Sequence, residues 1–298
     1  MVTHALTVDV EDYYQVLAMA PYIDRSAWER WPRRVGESTE RLLAVLADAG
    51  VKATFFTLGW VAEREPALVR RIVEQGHELA SHGYGHERVH ELGPAAFRED
   101  VVRAKGQLEA IGGVPIRGYR APAFSIGPRT PWAYETLRAT GHLYSSSVYP
   151  VRHDHYGAPE APRCAHRADW AGGMLELPPA TLRIAGRNWP LGGGGYFRLL
   201  PYALSRAALR RLERHEGRPA VFYIHPWELD PGQPRVQGID LRTRFRHYLN
   251  LHRTEGRLAR LLRDLRWDRA DRVFAAELAG AEQARSGEAA APLAEEAA

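Results

Sequence analysis

Short apolar runs alternate with stretches of helical apolar spacing at intervals of about 25 to 35 residues, the cadence of repeated βα units. Leu6 to Val10 reads as a first buried strand. A helix from Thr39 to Ala49 follows, with Ser38 as its N-cap and Gly50 as its C′ stop. Ala53 to Thr57 is the second strand, followed by a helix entered at Pro66 and ended by Gly76, and His77 to Ala80 is a third, short strand. Ala95 to Ile111 carries helical apolar spacing at Val101, Ala104, Leu108 and Ile111, between Pro94 and Gly112-Gly113.

The alternation continues with a strand at Ile116 to Tyr119, a helix near Trp132 to Thr140 and a strand near His142 to Ser145. Tyr149 to Trp170, rich in Pro, His and Gly, reads as a long loop. Met174 to Leu177 and Ala220 to Ile224 are later strands, with a helix from Pro201 to Glu216 between them. Two more helices occupy Leu241 to Asn250 and Glu255 to Leu265. The pattern describes one βα-repeat domain over residues 1–275, a barrel or an open sheet, and residues 276–298 read as an Ala/Glu-rich tail without structure.

With 298 residues, 45% hydrophobic and 26% charged, the composition is that of an ordinary globular chain, which argues against a disordered, collagen-like or membrane-spanning one. The net charge of +4 invites a nucleic-acid reading. Lys52 and Lys105 are the only lysines, however, and the arginines are interleaved with acids, so neither a basic run nor an aromatic–basic ladder supports nucleic acid as a partner. Cys164 is the single cysteine, which excludes an intrachain disulfide and any multi-cysteine metal site. Asp9, Glu11 and Asp12 interrupt the N-terminus before any apolar signal region can form, so the expected location is the cytoplasm or the inner face of its membrane.

Ionisable residues fall where the strands end. Asp9, Glu11 and Asp12 close the first strand, His82 and His86 follow the third, Arg120 follows the fourth, and His225 follows Val221 to Ile224. In a βα barrel such ends share one face and build the site there. His82 and His86, four residues apart, suit two ligands of one metal ion, and a carboxylate from the first strand would complete a facial set open to water and substrate. Zinc or another divalent transition metal fits such a set and would support metal-assisted amide or ester hydrolysis.

Two other features compete for attention. His86-Glu87-Arg88-Val89-His90 matches the HExxH pattern of metalloproteases, although glycines precede it and Gly93-Pro94 follows. The run Gly192 to Gly195 lacks the Lys-Ser/Thr of a phosphate-binding loop and reads as a flexible rim over a cleft. Trp189, Tyr196, Phe197, Trp227 and Tyr149 offer flat surfaces for sugar rings, so a glycan-binding protein without strong catalysis is a further reading.

In combination and order, Thr7-Val8-Asp9-Val10-Glu11-Asp12-Tyr13, Thr54-Phe55-Phe56, Glu78 to His86, Gly118 to Ser125, Gly193 to Arg198 and His225-Pro226-Trp227-Glu228 carry a resemblance. The chain resembles the polysaccharide deacetylase family with the NodB homology domain, carbohydrate esterase family 4, and within it the exopolysaccharide-locus branch associated with exosortase systems. The resemblance implies a distorted (β/α)7 barrel that removes the N-acetyl group from an N-acetylhexosamine unit of a polysaccharide or of a lipid-linked oligosaccharide. It makes Asp9 the general base, His225 the general acid and Arg120 the residue that orients Asp9. His82 and His86 become ligands of Zn2+, or of Co2+, Ni2+ or Fe2+, joined by Asp12 or Glu11, with Asp12 slightly favoured. Tyr13, Pro122, Tyr196 and Trp227 become substrate contacts, and a backbone N–H near Tyr13 would hold the oxyanion. One departure stands out. Ser145 occupies the place of a usual Asp, which would leave Arg120 to pair directly with Asp9 or with solvent.

Overall fold

The strand that carries the acidic residues is the centre of the sheet. In the computed structural model, which describes residues 2–153, 157–168 and 173–290 (side chains of 284–290 excepted), β1 spans Thr3–Val10 and is buried along almost its whole length. The other strands are β2 (Thr54–Thr57), β3 (Glu78–Ser81), β4 (Gly118–Tyr119), β5 (Tyr144–Ser145), β6 (His166–Ala168), β7 (Met174–Glu176), β8 (Thr181–Ile184), β9 (Arg187–Pro190), β10 (Val221–Ile224) and β11 (Arg266–Asp268). The main sheet runs β10-β1-β2-β3-β4-β5-β7-β6, with β11 added beside the start of β1. All its pairings are parallel except β6 against β7, so the strand ends that follow the βα units share one side. The sheet curls as a distorted (β/α)7 barrel. Segments 177–180 and 191–193 close the space beside β10, through Ala180 N–H to Val221 C=O (2.9 Å) and Tyr223 N–H to Gly192 C=O (2.6 Å).

Helices pack outside it: α1 (Val35–Asp48), α2 (Gly59–Arg64), α3 (Pro66–Glu74), α4 (Val89–Gly112), α5 (Trp132–Ala139), α6 (Gly194–Leu199), α7 (Tyr202–Glu216), α8 (Leu241–Tyr248), α9 (Leu251–Asp264), α10 (Ala270–Val273) and α11 (Ala275–Ala290). In α1, Val35, Leu42, Leu43 and Leu46 recur at helical spacing and are buried, each contributing about 1.5–3 kcal/mol. The largest core cluster joins these to β1, β2, β10, α9 and the loop aromatics Trp28 and Trp60.

Several expected boundaries shift for physical reasons. α1 begins four residues early because Asp12, far away in sequence, accepts the orphan N–H groups of its first turn. α4 starts at Val89 rather than Ala95, with a break at Gly93 (φ 71°) just before Pro94. The expected flexible Gly192–Gly195 rim is instead a close contact. Gly193 (φ 115°) bridges Tyr223, and a Cβ there would lie 2.0 Å from the Tyr223 carbonyl oxygen, so the glycine is needed for approach to β10. The long loop contains β6, while its residues 154–156 and 169–170 lie outside the described residues. The segment read as an unstructured tail forms α11 as far as Ala290, with Leu278 and Ala281 against the cluster that contains Phe274. Residues 291–298 lie outside the described residues.

Candidate active site

One cavity of about 310 Å³ opens at the C-terminal ends of the parallel strands, and Asp9, Glu11, His82, His86 and His225 all line it. Asp9 stands near the end of β1, and Glu11, just past Val10, follows a tight turn in which its N–H donates to the Asp9 carbonyl (3.1 Å). His82 directly follows β3. His86 is reached by a loop in which Gly83 (φ 73°) and His86 itself (φ 56°) adopt left-handed backbone. Asp100 of α4 holds that loop, its carboxylate accepting the N–H groups of Tyr84 (3.0 Å) and Gly85 (3.3 Å).

Glu11, His82 and His86 each present one ligand atom, all within 4.8 Å of one another. His86 Nε2 lies 2.8 Å from Glu11 Oε2, yet that oxygen makes no directed hydrogen bond among the described residues, as expected where lone pairs converge on a shared cation. His82 Nδ1 lies 2.8 Å from the Arg120 carbonyl, which can only accept, so Nδ1 carries the hydrogen and Nε2 keeps its lone pair for the cluster. Burial, together with His86, pushes the His82 imidazole down to about 3 and keeps it neutral. Burial opposes the charge of Glu11, but His86, His225 and His82 outweigh it and hold the carboxyl below its ordinary value. Two imidazoles and one carboxylate in a buried facial array fit a divalent transition metal.

Asp12 is not among them, which corrects the preference for it as third ligand. Its Oδ1 accepts Tyr13 N–H (2.9 Å) and its Oδ2 accepts Arg34 N–H (2.7 Å) and Val35 N–H (2.9 Å), so both oxygens are spent on backbone. Burial raises its pKa to about 6 despite those bonds. The same contact corrects the expectation for Tyr13. Its N–H is used by Asp12, and its buried ring packs on Tyr14 and Trp31, away from the cavity wall. Pro122 is likewise buried, opening a 3-10 turn, and its neighbours Ala121 and Ala123 form the wall in its place. Tyr196 and Trp227 do line the cavity, whereas Trp189 is exposed on the β8–β9 hairpin and Phe197 packs on Phe222. The HExxH reading fails on geometry. His86 precedes the helix in left-handed backbone, Glu87 pairs with Arg25 at 2.5 Å, and His90 is exposed.

Arg120 is fully buried and pairs directly with Asp9 (Nη1 to Oδ1, 2.6 Å). It also donates to Thr7 Oγ1 and to the hydroxyl and carbonyl of Ser146. Ser145 supplies no charge and bonds Ser147. The buried carboxylate in this region is Glu176 of β7, which accepts the N–H groups of Ser147 and Val148 and the Tyr134 hydroxyl.

His225 points Nε2 at the cluster, 3.4 Å from Glu11 Oε1 and 3.9 Å from Asp9 Oδ2, while Nδ1 meets Glu228 Oε1 at 2.7 Å. Burial disfavours its charge, but Glu228, Glu11 and Asp9 overcome this and raise it to about 9. Glu228 is itself gripped by buried Arg198 (Nε to Oε2, 2.5 Å), whose guanidinium also donates to the carbonyls of His247 and Leu249. Glu228, Arg198 and Asp100 form a supporting layer that the sequence analysis did not assign.

Burial raises the Glu228 carboxyl, yet Arg198 and His225 bring it down to about 2, below the 4.5 of an unperturbed glutamate. A depressed carboxyl contributes stability above 4.5 that is lost as pH falls towards 2, here about 3 kcal/mol. Urea midpoints of wild type and Glu228→Gln should therefore differ most at neutral pH and converge near pH 2. A gap constant across the acid range would contradict this account.

Residues 27–142 match the family model described as polysaccharide deacetylase, and residues 146–275 match a domain of unknown function, DUF3473. His82, His86 and Arg120 fall in the first match, and Arg198, His225 and Glu228 in the second. Over 100 residues the chain is 33% identical to the peptidoglycan-N-acetylglucosamine deacetylase of Bacillus cereus, covering 33% of this chain and 36% of that protein. Over 112 residues it is 38% identical to the chitooligosaccharide deacetylase of Sinorhizobium fredii, covering 37% and 49%. It thus spans between about a third and half of the length of these curated relatives. A crystal structure described as a candidate polysaccharide deacetylase from Mycobacterium smegmatis superposes with a TM-score of 0.60 over 96% of this chain and 91% of that one, at 21% identity, which shows the shared fold. Among the described residues no helix is long and apolar enough to cross a membrane.

Proposed function

Because residues 27–142 match the polysaccharide deacetylase family model, we propose that the chain is a metal-dependent hydrolase of the NodB type, carbohydrate esterase family 4. It would remove the N-acetyl group from an N-acetylhexosamine unit of a polysaccharide, or of its lipid-linked precursor, during exopolysaccharide biosynthesis on the cytoplasmic side. The observation that carries the reading is the convergence of Asp9, Glu11, His82, His86 and His225 on one cavity wall.

Glu11, His82 and His86 are the residues that would hold the metal, zinc by preference, which when bound polarises the acetamide carbonyl and makes water acidic enough to attack at neutral pH. Asp9 sits beside them with Oδ1 fixed by Arg120, leaving Oδ2 to take a proton from the attacking water. As the water oxygen joins the carbonyl carbon, the C–N bond breaks and His225 delivers a proton from Nε2 to the departing amine. Acetate and a free amino sugar result. Glu228 fixes the His225 ring by accepting from Nδ1, so that Nε2 is the atom facing the reaction. Tyr196 and Trp227 supply the sugar-facing wall.

Acetate release from N-acetylglucosamine oligomers tests the reading. Activity should vanish with a chelator and return with zinc, be abolished in His82→Ala, and persist in His90→Ala. Full turnover by His82→Ala or by chelated enzyme would sink the proposal, and oligomer binding without acetate release would favour a glycan-binding protein instead.

A further inference from the structure

Helix α8 (Leu241–Tyr248) borders the mouth of the catalytic cavity. At about 100° per residue, positions 243 and 247 share one side and 241 and 245 the opposite one. The inward side is polar: Thr243 lines the cavity, and His247, buried, stacks on Trp227 at 4.4 Å and bonds Gln233 at 2.8 Å through Nε2. Leu241 is 82% exposed on the outer side, and Phe245, 56% exposed, stands at the mouth of the cavity and lines it. Leu199, at the end of α6, is 48% exposed on the rim of the same cavity. The helix therefore buries His247 and leaves Leu241 and Phe245 exposed, beside exposed arginines, at the mouth of the cavity.

The sequence around this face is rich in arginine, and Arg244 and Arg253 are exposed. Between Pro231 and Arg253 there are five arginines (Arg235, Arg242, Arg244, Arg246 and Arg253) and one acid, Asp240. That acid is committed locally, its Oδ1 accepting the N–H groups of Arg242 and Thr243 and its Oδ2 the Tyr22 hydroxyl. Exposed Leu and Phe on a short helix set among arginines are the chemistry that inserts at the interface of an anionic bilayer, where apolar tips enter the acyl boundary and guanidinium groups meet lipid phosphates. We propose that the α8 face docks the protein on an anionic membrane surface, with the catalytic cavity opening at the bilayer. The inference goes beyond the deacetylase reading and does not depend on it.

Co-sedimentation of the full chain with vesicles tests it. Phosphatidylcholine vesicles containing phosphatidylglycerol should carry the protein down, those of phosphatidylcholine alone should not, and added salt should weaken binding. Leu241→Glu and Phe245→Glu should each lose about tenfold in apparent affinity, and Arg244→Glu several-fold. Leu241, which does not line the cavity, tolerates a charge without unfolding, so Leu241→Glu should release acetate from soluble oligomers at the wild-type rate. Absence of vesicle binding, equal binding to neutral vesicles, or wild-type binding by both Leu241→Glu and Phe245→Glu would overturn the proposal. So would a Leu241→Glu variant that loses turnover only of a detergent-dispersed lipid-linked sugar while the wild type ignores vesicles, since the face would then be a substrate subsite. Inactivity towards every acetylated sugar alongside intact vesicle binding would defeat the deacetylase reading and leave this one standing.

Discussion

Replacing Asp9 by Asn is expected to lower acetate release from N-acetylglucosamine oligomers by about 10²- to 10⁴-fold, the usual contribution of a positioned base. The change is nearly isosteric, and an amide oxygen can still accept from Arg120 Nη1, so the cavity keeps its shape. It removes the lone pair that takes the proton, and it leaves the buried Arg120 guanidinium facing a neutral group. Thr7 and Ser146 continue to hold Arg120, which limits the accompanying loss of stability to about 2–4 kcal/mol. Measuring acetate release beside a urea titration separates the two effects. An Asp9→Asn enzyme within tenfold of wild type would remove Asp9 from the chemistry.

The second large effect is a split between adjacent acids. Glu11→Gln should weaken zinc binding by at least about 100-fold, while leaving the urea midpoint of the metal-stripped protein close to wild type. Asp12→Ala should do the opposite. Three backbone N–H groups lose a charged acceptor, so stability should fall by about 3 kcal/mol with zinc stoichiometry retained. Equilibrium dialysis with zinc and denaturant titrations decide it, and the reverse pattern would restore Asp12 as the ligand.

The contrast between those acids also marks how far the chain could be interpreted without coordinates. The repeated βα cadence, the strand ends and the His82–His86 spacing follow from local periodicity, and all of them appear in the fold. Glu11 and Asp12 both lie just past the end of β1 at Val10, so strand alternation does not choose between them. Asp12 became a cap because of Arg34 and Val35, which no local pattern connects to it. Arg198 and Asp100 went unassigned for the same reason: their partners lie in other elements, and a lone Arg in a glycine-rich run carries no mark of burial. Glu228 was local, three residues after His225 in one turn, and its link to that ring is the part a local pattern could show. The Gly192–Gly195 run was misread because glycine permits both mobility and close approach, and only the presence of β10 decides between them. Ala- and Glu-rich composition at 276–290 suggested a tail, yet those residues also favour helix, and Leu278 and Ala281 give that helix a surface to pack on.

The neighbours of β1 set an order of events during synthesis. One edge of this strand is completed by β2, only about 45 residues downstream, and at its start by β11 (Arg266–Asp268), but the other edge waits for β10 at Val221–Ile224. Contacts separated by more than 200 positions form late, because a long loop must close before they are rewarded. The strand that bears Asp9 is therefore synthesised well before β10 and β11, which complete its edges. Until then it has an open, apolar edge, exposed to mispairing and in need of protection by chaperones. Truncations that remove β11 should thus yield insoluble protein even though no residue of that strand reaches the cavity.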